Sequence, residues 1–110
     1  MWDPFAGTGR IPAAAAAKGL TALATDLIDR GMHPDLAVFD FFQADPATMI
    51  QVENIVSNPP LKDNERVVDP ALTLASKKVA LFLPFRWLVS NTRSLWLDKT
   101  PLRRVLVLTR

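Results

Sequence analysis

Residues 3–19, DPFAGTGRIPAAAAAKG, join a glycine turn to a segment with strong helix propensity. Pro12 suits the first turn of a helix because its φ angle is already fixed, and the five alanines that follow it have the highest helix propensity. Gly19 is a residue type that commonly ends a helix. The stretch therefore predicts a strand-to-helix turn and a helix, which is a connection typical of parallel α/β sheets.

The rest of the chain continues this alternation of strand and helix patterns. Strand patterns occupy LTALATDL (20–27), ENIVS (53–57), VALFLPF (79–85) and RRVLVLT (103–109). Helix patterns occupy VVDPALTLASKK (67–78), with a start at Asp69 and Pro70 in the first turn, and RWLVSNTRSLWL (86–97). We therefore predict an α/β fold with a mainly parallel sheet in a single domain, 1–110.

Composition limits the chemistry that the chain can perform. It has 110 residues, no cysteine and a single histidine, His33, to which the sequence assigns no role. Disulfides, thiolate zinc sites and a cysteine nucleophile are therefore excluded, and no metal is expected. Because the sequence has neither an apolar run of the roughly 18 residues that a membrane span needs nor a secretory signal pattern, we expect a cytoplasmic location.

Charge is distributed unevenly along the chain. Residues 1–55 carry three basic and seven acidic side chains, whereas residues 56–110 carry ten basic and four acidic ones. The two halves therefore have net charges of −4 and +6. A basic second half suggests contact with a polyanion, although basic surfaces also serve solubility alone.

The glycine turn and the strand that follows the helix predict a site for a nucleoside. Gly7 and Gly9 allow a tight bend, and the first amides of the helix point free N–H groups toward a polar or negatively charged ligand. Asp26 ends the next strand, where a carboxylate accepts hydrogen bonds from ribose hydroxyls. The dinucleotide fingerprint requires glycine at the position of Pro12, which counts against NAD. The alternative is that the glycines only form a turn and Asp26 only caps it.

Three motifs together resemble one enzyme family. DPFAGTG at 3–9, TD at 25–26 and NPPL at 58–61 resemble the class I S-adenosylmethionine-dependent methyltransferases. The resemblance is greatest to amino-group methyltransferases with a [D/N/S]PP[Y/F/W] motif, especially the adenine-type nucleic acid enzymes of bacteria and phages. It implies a Rossmann-like three-layer fold with S-adenosylmethionine as cofactor and DNA as substrate. Compared with that family the chain looks shortened at both ends, so we expect an incomplete domain, with completion in a homodimer as the alternative.

The resemblance also implies roles for particular residues. Asp26 would bind the ribose of the cofactor and Asp45 the amino group of its adenine, with Asp40 as the alternative acid. Leu27 and Phe42 would flank the adenine ring. The methionine part would lie on the glycine turn, which consists of Asp3, Pro4, Phe5, Ala6, Gly7, Thr8 and Gly9.

Catalysis would use the segment SNPPL at 57–61. Methyl transfer from a sulfonium requires no metal and no covalent intermediate, so orientation and fixed dipoles supply most of the catalysis. The side-chain oxygen of Asn58 and the carbonyl of Pro59 would accept hydrogen bonds from the target amino group, while Pro60 stiffens the loop. Leu61 stands where the family usually has an aromatic residue that stacks on the substrate. A rigid turn without catalytic function is the alternative.

The basic second half would contact the phosphates of nucleic acid, with Trp87 or Trp96 nearby, although tryptophans at helical spacing are more often core residues. The candidate cations are Lys62, Arg86, Arg93, Arg103 and Arg104. Two alternatives to methylation of adenine in DNA stay open. One is transfer to a protein glutamine or a small molecule, and the other is a non-catalytic remnant of a methyltransferase.

Overall fold

The computed structural model describes residues 1–49 and 51–109. Within them, all paired strands are parallel, and their order across the sheet is β3-β2-β1-β4-β5. The predicted α/β class with a parallel sheet is therefore confirmed. The strands are β1 (Trp2–Asp3), β2 (Leu23–Asp26), β3 (Ala37–Val38), β4 (Val52–Ser57) and β5 (Ala75–Leu81). The α-helices are α1 (Arg10–Ala17), α2 (Asn64–Leu74) and α3 (Asn91–Leu97), with 3-10 helices at Phe41–Gln43, Leu61–Asp63 and Phe85–Leu88.

The short strand β1 lies at the centre of the sheet. Trp2 pairs with Leu23 of β2 on one side and with Ile55 of β4 on the other. The chain first builds the sheet outward through β2 and β3, and then crosses to the opposite side with β4 and β5. The direction of strand order thus reverses between β1 and β4, which is where open parallel sheets bind ligands beyond the carboxyl ends of their strands.

The core lies between the sheet and α2. Val67, Ala71 and Leu74 follow each other at helical spacing and form the buried face of α2. They pack with Trp2, Phe41 and Ile55. The indole N–H of Trp2 donates to the hydroxyl of Thr25 at 2.9 Å, so this buried polar group is satisfied.

The second predicted helix has the wrong boundaries. It begins at Asn64 and ends at Leu74, so that Pro70 lies inside the helix and not in its first turn. Residues 75–78, predicted as helix, belong to β5 and pair with β4, with Ala75 opposite Val52 and Lys78 opposite Asn54. Hydrogen bonds to a neighbouring strand have prevailed over the helix propensity of this alanine- and lysine-containing segment.

Two further predictions differ from the structure. The helix predicted over 86–97 is divided into the 3-10 helix Phe85–Leu88 and the separate helix α3. The strand predicted over 103–109 has no regular secondary structure, and all of its side chains are exposed, so nothing in the described residues pairs with it. Among the described residues, every helix is too short or too polar to cross a membrane.

Candidate functional site

The two sequence motifs meet at the carboxyl edge of the sheet. The glycine turn follows β1, and the segment Asn58–Leu61 follows the adjacent strand β4. Ser57, the last residue of β4, donates its hydroxyl hydrogen to Asp3 Oδ1 at 2.5 Å. The strand order therefore brings the motifs side by side, and this bond joins them directly.

Asp3 is a buried carboxyl group with one unsatisfied oxygen. Only 1% of its surface is exposed, and its Oδ1 also accepts from the backbone N–H of Phe5 at 3.3 Å. Oδ2 is buried and has no hydrogen-bond partner among the described residues. Burial raises the pKa of Asp3 above its ordinary value of 3.8, the charge of Asp26 raises it further, and the hydrogen bonds from Ser57 and Phe5 oppose the shift.

The glycine turn contacts Asp26, the residue predicted to bind the ribose of the cofactor. The N–H of Gly7 donates to Asp26 Oδ2 at 2.8 Å, while Asp26 Oδ1 accepts from the N–H of Ile28 at 3.3 Å. Arg30 lies 3.5 Å from the same Oδ1. The structure therefore brings Asp26 and the turn together, and the carboxylate holds the turn in place.

The conformation of the turn requires its glycines. Gly7 and Gly9 have φ angles of 55° and 81°, which L residues with side chains rarely adopt. A Cβ on Gly7 would meet no atom within 4 Å, whereas a Cβ on Gly9 would lie 2.3 Å from Cδ2 of His33. Of the other residues in the turn, Pro4 and Ala6 are buried and Thr8 is exposed. The turn is therefore open at Gly7 and closed by the His33 imidazole at Gly9.

The residues predicted to surround an adenine ring are only partly assembled. Phe42 packs 6.1 Å from Phe5 of the turn, measured between ring centroids, and carries the Arg66 guanidinium 4.2 Å above its ring. Asp40 follows β3 and accepts from the N–H of Phe42 at 3.0 Å. Leu27 follows Asp26 at the same edge and is 59% exposed. Leu27 therefore follows β2, and Asp40 and Phe42 follow β3, at the carboxyl edge of the sheet.

Asp45 is not brought to this site. Its side chain is exposed and accepts from the N–H of Ala47 at 2.8 Å. The neighbouring residues Pro46 and Met49 line a cavity of about 240 Å³ together with Val52, the first residue of β4. That cavity lies at the amino edge of the sheet, opposite the two motifs, so it does not belong to the candidate site.

The segment after β4 presents its predicted catalytic side chain to solvent. Asn58 and Pro60 are exposed, and Pro59 is buried and fixes the path of the chain. The carbonyl of Pro60 accepts from the N–H of Asp63 at 2.9 Å, which begins the 3-10 turn. Leu61 is 67% exposed, so its side chain is available to a ligand.

A basic groove borders this segment. Its volume is about 440 Å³, and it lies at the carboxyl edge because Leu61 follows β4 and Pro84 follows β5. Four cations and one acid are among the lining residues, so the groove has an excess of positive charge. The other lining residues are Lys62, Asn64, Glu65, Arg66, Arg86, Trp87 and Arg93. Arg103 and Arg104 are not among them.

Ion pairs neutralise part of this charge. Arg93 pairs with Glu65, and Arg66 pairs with Asp63 at 3.2 Å. Lys62 and Arg86 form no ion pair within the described part of the chain. The indole N–H of Trp87 is buried without an acceptor among those residues, and the Trp87 and Trp96 rings pack edge to face at 5.8 Å between centroids. Trp87 is therefore a buried wall of the groove.

Sequence patterns alone missed three residues of this site. Ser57 directly precedes the NPP motif, but only the strand order reveals that it reaches Asp3. His33 covers Gly9 from a loop without regular structure, and no pattern in that loop indicated it. Arg66 meets Phe42 because α2 begins earlier than its sequence predicts.

Comparison of the chain with protein-family models, curated proteins and solved structures yields no match. The chemistry of the chain therefore has to be inferred from the residues of this edge and from their arrangement.

Proposed function

We propose that this chain is an S-adenosylmethionine-dependent methyltransferase of Rossmann-like fold that methylates an exocyclic amino nitrogen, with adenine in DNA as its substrate. One observation supports the proposal above all others. The glycine turn after β1 and the NPP segment after β4 adjoin at the point where the strand order reverses, and Ser57 bonds Asp3 across them at 2.5 Å. A cofactor site and a substrate site for one reaction need this proximity.

The residues at the turn fit the proposed cofactor. Gly7 leaves open space beside the backbone, since a Cβ there would contact nothing within 4 Å. Asp26 is positioned at the end of β2 by its bond to the Gly7 N–H and presents a carboxylate suited to ribose hydroxyls. Gly9 precedes α1 and offers no side-chain cap, so the N–H groups of Arg10 and Ile11 are available for a polar group, whereas Pro12 has no N–H. The bound cofactor would supply a methyl group activated on a sulfonium.

Asn58 and Pro59 would orient the target nitrogen. An exocyclic amino group is a poor nucleophile because its lone pair is delocalised into the ring. Acceptors on its two hydrogens, namely the side-chain oxygen of Asn58 and the carbonyl of Pro59, favour a pyramidal nitrogen with a localised lone pair. Asn58 is exposed at the start of the rigid loop, as this role requires.

The basic groove supports a nucleic acid as the substrate. It begins at Leu61, directly after the NPP motif, and Lys62 and Arg86 add positive charge to it. A nucleic acid strand with its target base near Asn58 could therefore place its phosphates against these cations.

Titration calorimetry with S-adenosylmethionine, using NAD as the control ligand, tests the proposal first. Selective binding of S-adenosylmethionine supports it, and transfer of a labelled methyl group to adenine-containing oligonucleotides is then expected. Absence of binding by a folded chain would favour the non-catalytic alternative and contradict our proposal.

One observation favours a second substrate class. Leu61 is aliphatic and exposed, so it can pack against a planar group but cannot supply aromatic stacking. A planar amide, such as a glutamine side chain in a protein or a small molecule, needs less stacking than a base. Methyl transfer to glutamine-containing peptides and not to oligonucleotides would identify this alternative.

A further inference from the structure

The outer edge of β5 is a strand edge without a partner among the described residues. β5 ends the sheet and pairs on one side with β4, so the backbone N–H and C=O groups on its other side have no ladder. Ser76, Lys77, Lys78 and Ala80 are exposed. An open edge of this kind can accept a further strand.

Residues 103–109, RRVLVLT, have the properties of a strand that has no sheet. Val105, Leu106, Val107 and Leu108 form a continuous apolar run, which is typical of a strand covered on both faces. Leu106 is nevertheless 80% exposed and Leu108 is 70% exposed. The segment has no backbone hydrogen bonds to other described residues. Its length matches the seven residues of β5, whose pairing with β4 is regular from Lys78 to Leu81 and irregular before it.

Two β5 edges do not suit each other. Lys78 is the central residue of β5, so antiparallel pairing of two such strands over their full length would place Lys78 opposite Lys78. Like charges directly opposite one another destabilise a strand pair. Antiparallel pairing of two β5 strands is therefore disfavoured, whereas a strand with an apolar centre avoids this repulsion.

We propose that residues 103–109 of one copy of this chain pair with the β5 edge of a second copy, and that reciprocal exchange forms a two-fold dimer. Within its described residues each copy carries the open β5 edge and an unpaired segment of the same length, so a two-fold arrangement satisfies both. This proposal does not depend on the methyltransferase activity.

Charge indicates that the added strand is antiparallel to β5. Parallel pairing over the full length would place Arg103 and Arg104 opposite Ala75 and Ser76, directly before Lys77 and Lys78. Antiparallel pairing over the full length places Leu106 opposite Lys78 and Arg104 opposite Ala80, which separates the two pairs of cations.

Light scattering with size-exclusion chromatography over a range of concentrations tests the dimer. We expect twice the chain mass for the full chain. Proline removes a backbone donor, so V105P/V107P should weaken dimerisation at least ~10-fold. The control V105T/V107T keeps both N–H groups and branching at Cβ, and it should still dimerise. A full chain that stays monomeric at all concentrations would overturn the proposal.

Because the chain has no cysteine, engineered thiols identify the partner strand. Two single variants, A80C and R104C, are mixed and oxidised. A disulfide between them can only join two chains, and opposed residues in a strand pair are close enough for it. We expect the linked dimer in the mixture and little of it in either variant alone. No linkage in the mixture, with an intrachain disulfide in the variant that carries both cysteines, would overturn the exchange.

Discussion

Asp3 and Ser57 are 54 positions apart in the sequence and are joined by a 2.5 Å hydrogen bond in the fold. The first residue opens the glycine turn, and the second immediately precedes Asn58. Their bond therefore connects the two motifs, which in the sequence are separated by three strands, an α-helix and a 3-10 helix. A displacement of either loop would be transmitted to the other through this buried contact.

Asp3→Asn should remove a pH dependence of stability. Burial raises the pKa of Asp3, so the folded state holds this proton more tightly than the unfolded state. The stabilisation is complete below the ordinary pKa of 3.8 and is lost as the pH rises through the raised folded-state pKa. The free energy of unfolding in urea, measured over a range of pH, should show this loss in the wild type. It should not show it in Asp3→Asn.

Ser57→Ala is the second variant for that experiment and should shift the pH dependence without abolishing it. The Ser57 hydrogen bond lowers the pKa of Asp3, so its removal should raise this pKa further and move the loss of stability to higher pH. An unchanged pH profile in Asp3→Asn would mean that Asp3 is not the responsible group.

Asp26→Ala should weaken binding of S-adenosylmethionine by about 10-fold or more. The variant removes both the proposed ribose acceptor and the bond that holds the Gly7 N–H. Asp29→Ala is the control, because Asp29 bonds the N–H of Gly31 in the neighbouring exposed loop. Calorimetry measures both, and equal affinities would refute the assignment of Asp26.

Asn58→Ala should reduce methyl transfer at least ~100-fold while cofactor affinity changes little. The side chain is exposed, so its loss should not disturb the fold. Asn91→Ala, at an exposed position that begins α3, is the control. Loss of cofactor binding together with transfer would instead indicate a structural role for Asn58.

Gly9→Ala should destabilise the fold more than Gly19→Ala. Both glycines have positive φ angles, which costs alanine about 1 kcal/mol. Only at Gly9 would the new Cβ meet another residue, the His33 ring, whereas Gly19 has open space. Adding His33→Ala to Gly9→Ala should therefore recover part of the steric cost in thermal unfolding, because the ring is removed while the Cβ of residue 33, 2.9 Å from the new Cβ, remains. Equal destabilisation by the two glycine variants would exclude close packing of His33.

Lys62→Ala and Arg86→Ala should each weaken oligonucleotide binding and lower the slope of log K against log salt by about 1. Both residues line the groove, whereas Lys18, the control position, follows α1. Fluorescence anisotropy over a salt series measures the slopes. A slope that responds equally to all three substitutions would indicate that the groove has no special role.

The regular parts of the site follow from local patterns. The alanine run after Gly9 predicted α1, and the apolar residues before Asn58 predicted β4, because their propensities and their burial favour the same structure. The positions of Gly7 and Asp26 followed from these elements, since carboxyl ends of parallel strands meet at one edge.

The remaining features depend on contacts between distant segments. The start of β5 at Ala75 is determined by pairing with β4, which local propensity does not contain. His33 meets Gly9 through a loop whose path no periodicity describes. Arg66 stacks on Phe42 only because α2 extends beyond the segment that its pattern predicts.

Pro70 removes one backbone hydrogen bond from the middle of α2. Because its nitrogen carries no hydrogen, the carbonyl of Arg66 lacks the helical donor four residues later. The turn with Asn64 and Glu65 beside the groove is therefore less firmly joined to the turn that anchors Leu74 in the core. Val67 and Leu74 anchor the turns on either side of this missing bond in one core, so the interruption weakens the backbone of the groove wall without releasing the helix from its packing.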